Sequence, residues 1–201
     1  MIWKPGVLPV EARWRRDGPD LPIDFARESD GGELATVICS TAPVTRVMWS
    51  LMRSDSMACA RELLRQREKI PSSQPWSVGS VAQGTLDPQL PHARSIAAWA
   101  RAQGLDGVVW TALPPRFQGE NGRIPSIEEA LQYLQALPEQ RRRHAEHYVC
   151  ATPRFVATAL RETLERQLGW TPGPCAAPLL RARQGPPRPG TSRRRSPTVG
   201  A

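Results

Sequence analysis

The 201-residue sequence predicts an α+β fold with an antiparallel or mixed sheet. Two β-prone stretches, 23–27 and 33–39, flank the turn Ser29-Asp30-Gly31-Gly32, which is the pattern of a hairpin. A strand, a Ser/Asp break and a helix follow within residues 44–69. Three strands in succession before a helix, with helical periodicity dense after Ser126, place both element types in one chain.

Residues 1–22 hold Pro5, Pro9, Pro19 and Pro22 around Trp3 and Trp14, an extended and turn-rich opening with room for short strands at 2–3 and 12–14. Residues 47–51, apolar around Trp49, read as the third strand of the sheet. Ser54 or Asp55 then supplies an N-cap oxygen, and Met57, Ala60 and Leu64 recur at helical spacing. The stretch 70–91 is rich in Ser, Pro, Gly and Gln and reads as a loop over one end of the sheet. A helix over 92–103 is closed by Gly104. The apolar strand 107–113 follows, ends at Pro114-Pro115 and is placed to add a parallel partner. Residues 117–123 read as a polar loop. Ser126 and Glu129 form a capping box for a helix through Ile127, Ala130, Leu131, Leu134 and Leu137. Pro138 starts a charged helix to Cys150, and Pro153 starts another over 154–168, stopped by Gly169.

These elements predict one domain over residues 1–170. Residues 171–201 are Pro-, Gly-, Ala-, Arg- and Ser-rich, bury too little apolar surface to order themselves, and are expected to be a disordered tail. The formal net charge of +8 suggests nucleic-acid binding until it is located. Six arginines and no acid fall in 181–201, and subtracting those six leaves +2 for the first 180 residues. A nearly neutral body argues against a nucleic-acid face on the fold. No run of about 18 apolar residues is present, so no membrane span is expected. Lys4 and Pro5 interrupt the place where a signal peptide needs an unbroken apolar run, so a cytoplasmic location is expected. Cys39, Cys59, Cys150 and Cys175 lack close pairing and are expected as free thiols.

His144, Glu146, His147 and Cys150 fall on one predicted helix, with His147 and Cys150 a turn apart. The spacing matches no zinc-binding helix, and Arg141–Arg143 would oppose a cation, so no metal is assigned. The 118–122 stretch has two glycines but neither the spacing nor the lysine of a phosphate cradle; Glu120 is its one acid. The seven tryptophans do not interleave with Lys or Arg as a base-stacking strip would, and most are expected in the core or at its rim.

Glu68 is the candidate with chemistry to offer. At 100° per residue it projects within about 20° of Met57 and Leu64, on the flank of the apolar stripe, whereas Glu62 points away. Such a place suits a general acid/base. Arg67 flanks the stripe equally closely on the other side, and an exposed glutamate near a helix end is the simpler account of the residue taken alone.

Three pieces together resemble gamma-glutamylcyclotransferase-like proteins, especially their ChaC-like branch. Ile2-Trp3-Lys4-Pro5-Gly6 resembles the segment that follows the family's Tyr-Gly-Ser loop, and 47–51 its strand leading into a helix. Arg67-Glu68-Lys69 resembles the short motif whose glutamate is the acid/base. The resemblance covers roughly the first 70 residues; the later part looks like an uncharacterised bacterial offshoot.

The resemblance implies a small, mixed, barrel-like sheet with flanking helices. It also implies an intramolecular cyclisation of a gamma-glutamyl group to 5-oxoproline, with release of an amine and without metal or organic cofactor. Glu68 would be catalytic, and Ile2 and Trp3 would lie at the substrate. The family's loop comes immediately before this Ile-Trp, whereas the sequence opens Met1-Ile2-Trp3. Either Met1 is internal to a longer protein or the loop has been lost, and the chain as written is expected to bind a gamma-glutamyl group poorly. Two other readings stand beside this one: a non-catalytic binding protein on the same scaffold, and a nucleic-acid-associated protein working through its arginine tail. The choice of gamma-glutamyl substrate and the oligomeric state are not legible in the sequence.

Overall fold

A computed structural model describes residues 5–11, 14–82, 85–86 and 90–172. The chain is α+β; among the described residues there are five helices and two open sheets, and the strands close no barrel. The tail expected over 171–201 falls, from residue 173 on, outside the described residues.

The first sheet is organised by β1 (Asp20–Glu28), which pairs antiparallel with β2 (Leu34–Ile38) on one side. Near its start β1 also pairs with β3 (Val44–Arg46). Near its end it meets β7 (Arg116–Phe117) in parallel through Arg27 and Arg116, and β7 forms a tight hairpin with β8 (Glu120–Asn121). The hairpin read from Ser29–Gly32 is present, with Ser29 N–H donating to Glu33 O at 3.0 Å. A bulge lies between Phe25 and Arg27, leaving Ala26 without a partner opposite. That extra residue breaks the two-residue alternation, which is why Phe25 and Ala26 are both buried although adjacent.

The second sheet differs most from expectation. The stretch 70–91, read as a loop, contains a 3-10 turn (Pro75–Ser77), β4 (Val78–Ala82) and β5 (Thr85–Leu86). β4 is the central strand, flanked by β5 and by β6 (Gly107–Thr111). Gly79, which makes β4 look like a loop, is required there: a Cβ would lie 2.3 Å from Trp110 Cε2 on the neighbouring strand. β6 pairs antiparallel with β4, not parallel.

Residues 47–51 do not form a strand. Trp49 and Met52 make isolated bridges to Arg15 and Val10, so this segment is tied to the chain's opening stretch and not to the sheet.

The helices are α1 (Met57–Arg67), α2 (Ala93–Ala102), α3 (Ile127–Ala136), α4 (Glu139–Ala151) and α5 (Ala159–Leu168). Ser56, one or two residues after the expected positions, caps α1 by accepting from Cys59 N–H at 3.1 Å. The capping box of α3 is complete, with Ser126 and Glu129 satisfying each other's backbone N–H groups. α5 begins at Ala159, five residues later than the pattern suggests, because Thr158 accepts from Arg161 N–H and caps it there.

The core has three parts. Helices α3–α5 cover Phe25, Leu34 and Phe117 of the first sheet with Leu134, Tyr148, Val149, Leu160 and Leu164. Leu21 at the start of β1 packs with Val81 and Ile96, joining the first sheet to β4 and α2. Leu64 of α1 packs with Ile70 and Val78, and Leu8 rests on them. Burying a side chain the size of Phe25 or Phe117 contributes about 2–3 kcal/mol.

Candidate functional site

Glu68 stands where α1 ends. The last apolar residue of the stripe, Leu64, is buried, and Glu68 N–H still donates to its carbonyl at 3.0 Å. Glu68 closes the helix with φ −83°, and Lys69 then takes a positive φ of 55°, turning the chain so that Ile70, six residues after Leu64, is buried. This turn is held from the side: Arg65 donates to Ile70 O and is ion-paired with Glu62 at 2.6 Å. Glu62 also accepts from Gln66, and its carboxyl is held down at about 2, first by Arg65 and then by Gln66.

The Glu68 side chain is 23% exposed and pairs with the Arg67 guanidinium, itself 14% exposed. Neighbours in sequence do not face each other along a helix. They meet here because Glu68 is leaving it. Gly6, the last residue of the segment 2–6, lies against Arg67, its Cβ position 4.0 Å from Arg67 Cγ. Gly6 and the end of α1 are therefore neighbours. Ile2 and Trp3 lie outside the described residues.

Tyr148 of α4 is buried beneath β2, where its hydroxyl accepts from Thr36 N–H at 3.1 Å and is 3.2 Å from Thr36 Oγ1. Burial pushes the phenol's pKa up; the Thr36 contacts act against that, and the charges of Glu33 and Glu68 add to it. Glu33 is itself buried, with Oε2 3.3 Å from His144 Nε2 and making no hydrogen bond of good geometry. Gly31 permits this approach, since a Cβ there would lie 2.4 Å from Glu33 Oε2.

Helical periodicity points to Glu68, whereas nothing local in the sequence points to Tyr148, Glu33 or the contact made by His144. On α4 the spacing singles out the face carrying His147 and Cys150, whereas the inward face is that of Ala145, Tyr148 and Val149. His147 is exposed, and burial raises the Cys150 thiol. Among the described residues no group of three or more His, Cys, Asp or Glu side chains is placed to hold a metal ion. Cys39, Cys59 and Cys150 are free thiols. Glu120 is exposed in the β7–β8 turn. No helix among the described residues is long and apolar enough to cross a membrane.

Comparison with family models, with curated proteins and with solved structures finds no match to this chain. What the structure defines is an α+β protein with a carboxylate and a guanidinium paired at the end of one helix.

Proposed function

We propose that this chain is a gamma-glutamylcyclotransferase-like protein of the cytoplasm that closes a gamma-glutamyl group into 5-oxoproline. Glu68 is the acid/base. Its carboxylate takes a proton from the substrate's α-ammonium, and the freed amine attacks the γ-carbonyl carbon to form the ring C–N bond. The bond from that carbon to the leaving nitrogen then breaks as Glu68 returns the proton to the departing amine, and the second proton shed by the new ring nitrogen also ends on that amine, which leaves as an ammonium ion. The chemistry calls for no metal or organic cofactor.

The observation that supports this reading most is the position of Gly6 against Arg67, beside the half-buried Glu68. Gly6, from one of the three pieces that resemble the family, thereby lies beside another of them, the end of α1. The rival reading, binding without turnover, is favoured by the ion pair itself: a carboxylate engaged by Arg67 is satisfied without any substrate.

The test is mass-spectrometric detection of 5-oxoproline from a panel of gamma-glutamyl amines. The chain is assayed as it stands and with Gly-Tyr-Gly-Ser joined ahead of Met1, each against its Glu68→Gln variant. Release that Glu68→Gln abolishes supports the enzyme; saturable binding without release supports the rival.

A further inference from the structure

Asp17 anchors an aromatic assembly just before the chain enters β1. Its Oδ1 accepts the Trp49 indole N–H at 2.8 Å, and its backbone carbonyl accepts that of Trp99, also at 2.8 Å. The two indoles meet edge to face, with ring centres 5.2 Å apart and planes at 81°. The turn that carries Asp17 is fixed as well. Gly18 N–H donates to Val47 O, and Val47 N–H to Pro19 O, both at 3.1 Å. A Cβ on Gly18 would lie 2.3 Å from Val47 O, so only glycine lets the two strands of chain come this close.

Trp99 forms one wall of a cleft of about 480 Å³. Asp17, Gly18, Pro19, Asp20 and Arg46 line the side opposite α2. That volume suits a small organic molecule. Asp20 and Arg46 are already joined by two hydrogen bonds of 3.1 and 3.4 Å. Asp17 is different: its carboxylate accepts from the Trp49 indole and from its own backbone N–H, and among the described residues no Lys or Arg forms a salt bridge with it. That indole N–H holds the Asp17 carboxyl below its ordinary range, so it is ionised at neutral pH.

The assembly already holds one cation. Arg15 lies 4.5 Å from the Trp49 ring centre, and its charge also favours the Asp17 carboxylate. Trp99 has a comparable ring and shares Asp17, and among the described residues no Lys or Arg stacks on it. We propose that the cleft between Asp17 and Trp99 is a binding site for a small organic ammonium ion, its charge set against the Trp99 face and countered by Asp17. The rigid turn and the pinned indoles mean that little must be ordered on binding. The site uses none of the residues around Glu68, so it stands or falls apart from the cyclotransferase reading.

The test is a titration of the full chain followed by the indole N–H resonances. The probes are choline and its uncharged isostere 3,3-dimethyl-1-butanol, with acetate as the anionic control. Choline is expected to move the Trp99 resonance saturably and the isostere to leave it in place. Asp17→Asn keeps an oxygen for the Trp49 N–H and removes only the charge, so it should weaken choline binding about fivefold without loss of fold. Trp99→Leu should abolish binding, and if it fails to fold, Asp17→Asn decides alone. Equal shifts with the isostere, a response to acetate and not choline, or no effect of Asp17→Asn would each overturn the proposal.

Discussion

Arg67 and Glu68, adjacent in sequence, form an ion pair at the end of α1 in which both side chains are largely sheltered from solvent. An exposed pair of this kind would contribute little, but here the guanidinium also sets where the carboxylate can point. Under the cyclotransferase reading Arg67 is a positioning residue. Arg67→Met should lower 5-oxoproline release about tenfold through lost alignment, with the far-ultraviolet spectrum unchanged. Full activity in Arg67→Met would separate the pair from catalysis.

The protein has two tyrosines, and burial raises both phenols, that of Tyr133 to about 12. Glu28 adds to the Tyr133 shift by its charge and by a hydrogen bond, while Arg141 opposes it. Absorbance at 295 nm should therefore show no phenolate forming near pH 10 until the fold opens, whereas the urea-unfolded chain titrates normally. Tyr133 contributes stability fully below pH 10. From pH 10 towards about 12 the unfolded chain gives up its proton first, so stability falls across that interval. A tyrosine titrating near 10 with the fold intact would contradict this placement.

Arg161 is buried, and its guanidinium donates to the carbonyls of Thr152, Pro153 and Val156 and pairs with Glu165 at 3.0 Å. It ties the 152–158 connection to α5. Arg161→Ala strands those carbonyls, and the cost is expected to be about 3 kcal/mol or more, read as a lower urea midpoint at unchanged slope. Arg161→Lys should recover only part of it, since an ammonium cannot reproduce the planar fork.

Gly79→Ala pushes a methyl group into the Trp110 ring in the middle of the second sheet. The half-buried ring packs against the cluster of Ile96 and Val81, and making room for the methyl group is expected to cost about 1–3 kcal/mol. A stability equal to the parent's would show that 78–82 is not the central strand.

That glycine also explains why part of the fold was hidden in the sequence. Turn and cap signals act locally, and the Ser29–Gly32 hairpin, the Ser126 capping box and the Gly169 stop were all legible from a few adjacent residues. β4 was not, because its small residues answer to Trp110, some thirty positions away. The reverse error occurred at 47–51, where apolar β-prone residues bridge to the opening segment and join neither sheet. Glu68 was legible through helical periodicity. Tyr148 and Glu33 depend on contacts between α4 and the first hairpin, which no spacing within either element encodes.

The central claim is that Glu68 is an acid/base for gamma-glutamyl cyclisation. It is tested most directly by the rate of 5-oxoproline formation in the chain carrying Gly-Tyr-Gly-Ser before Met1, compared with the same chain bearing Glu68→Gln. A loss of about 10²-fold or more, with the fold intact, is the predicted result. Equal rates in the two, or no 5-oxoproline from either with any gamma-glutamyl amine, would contradict it.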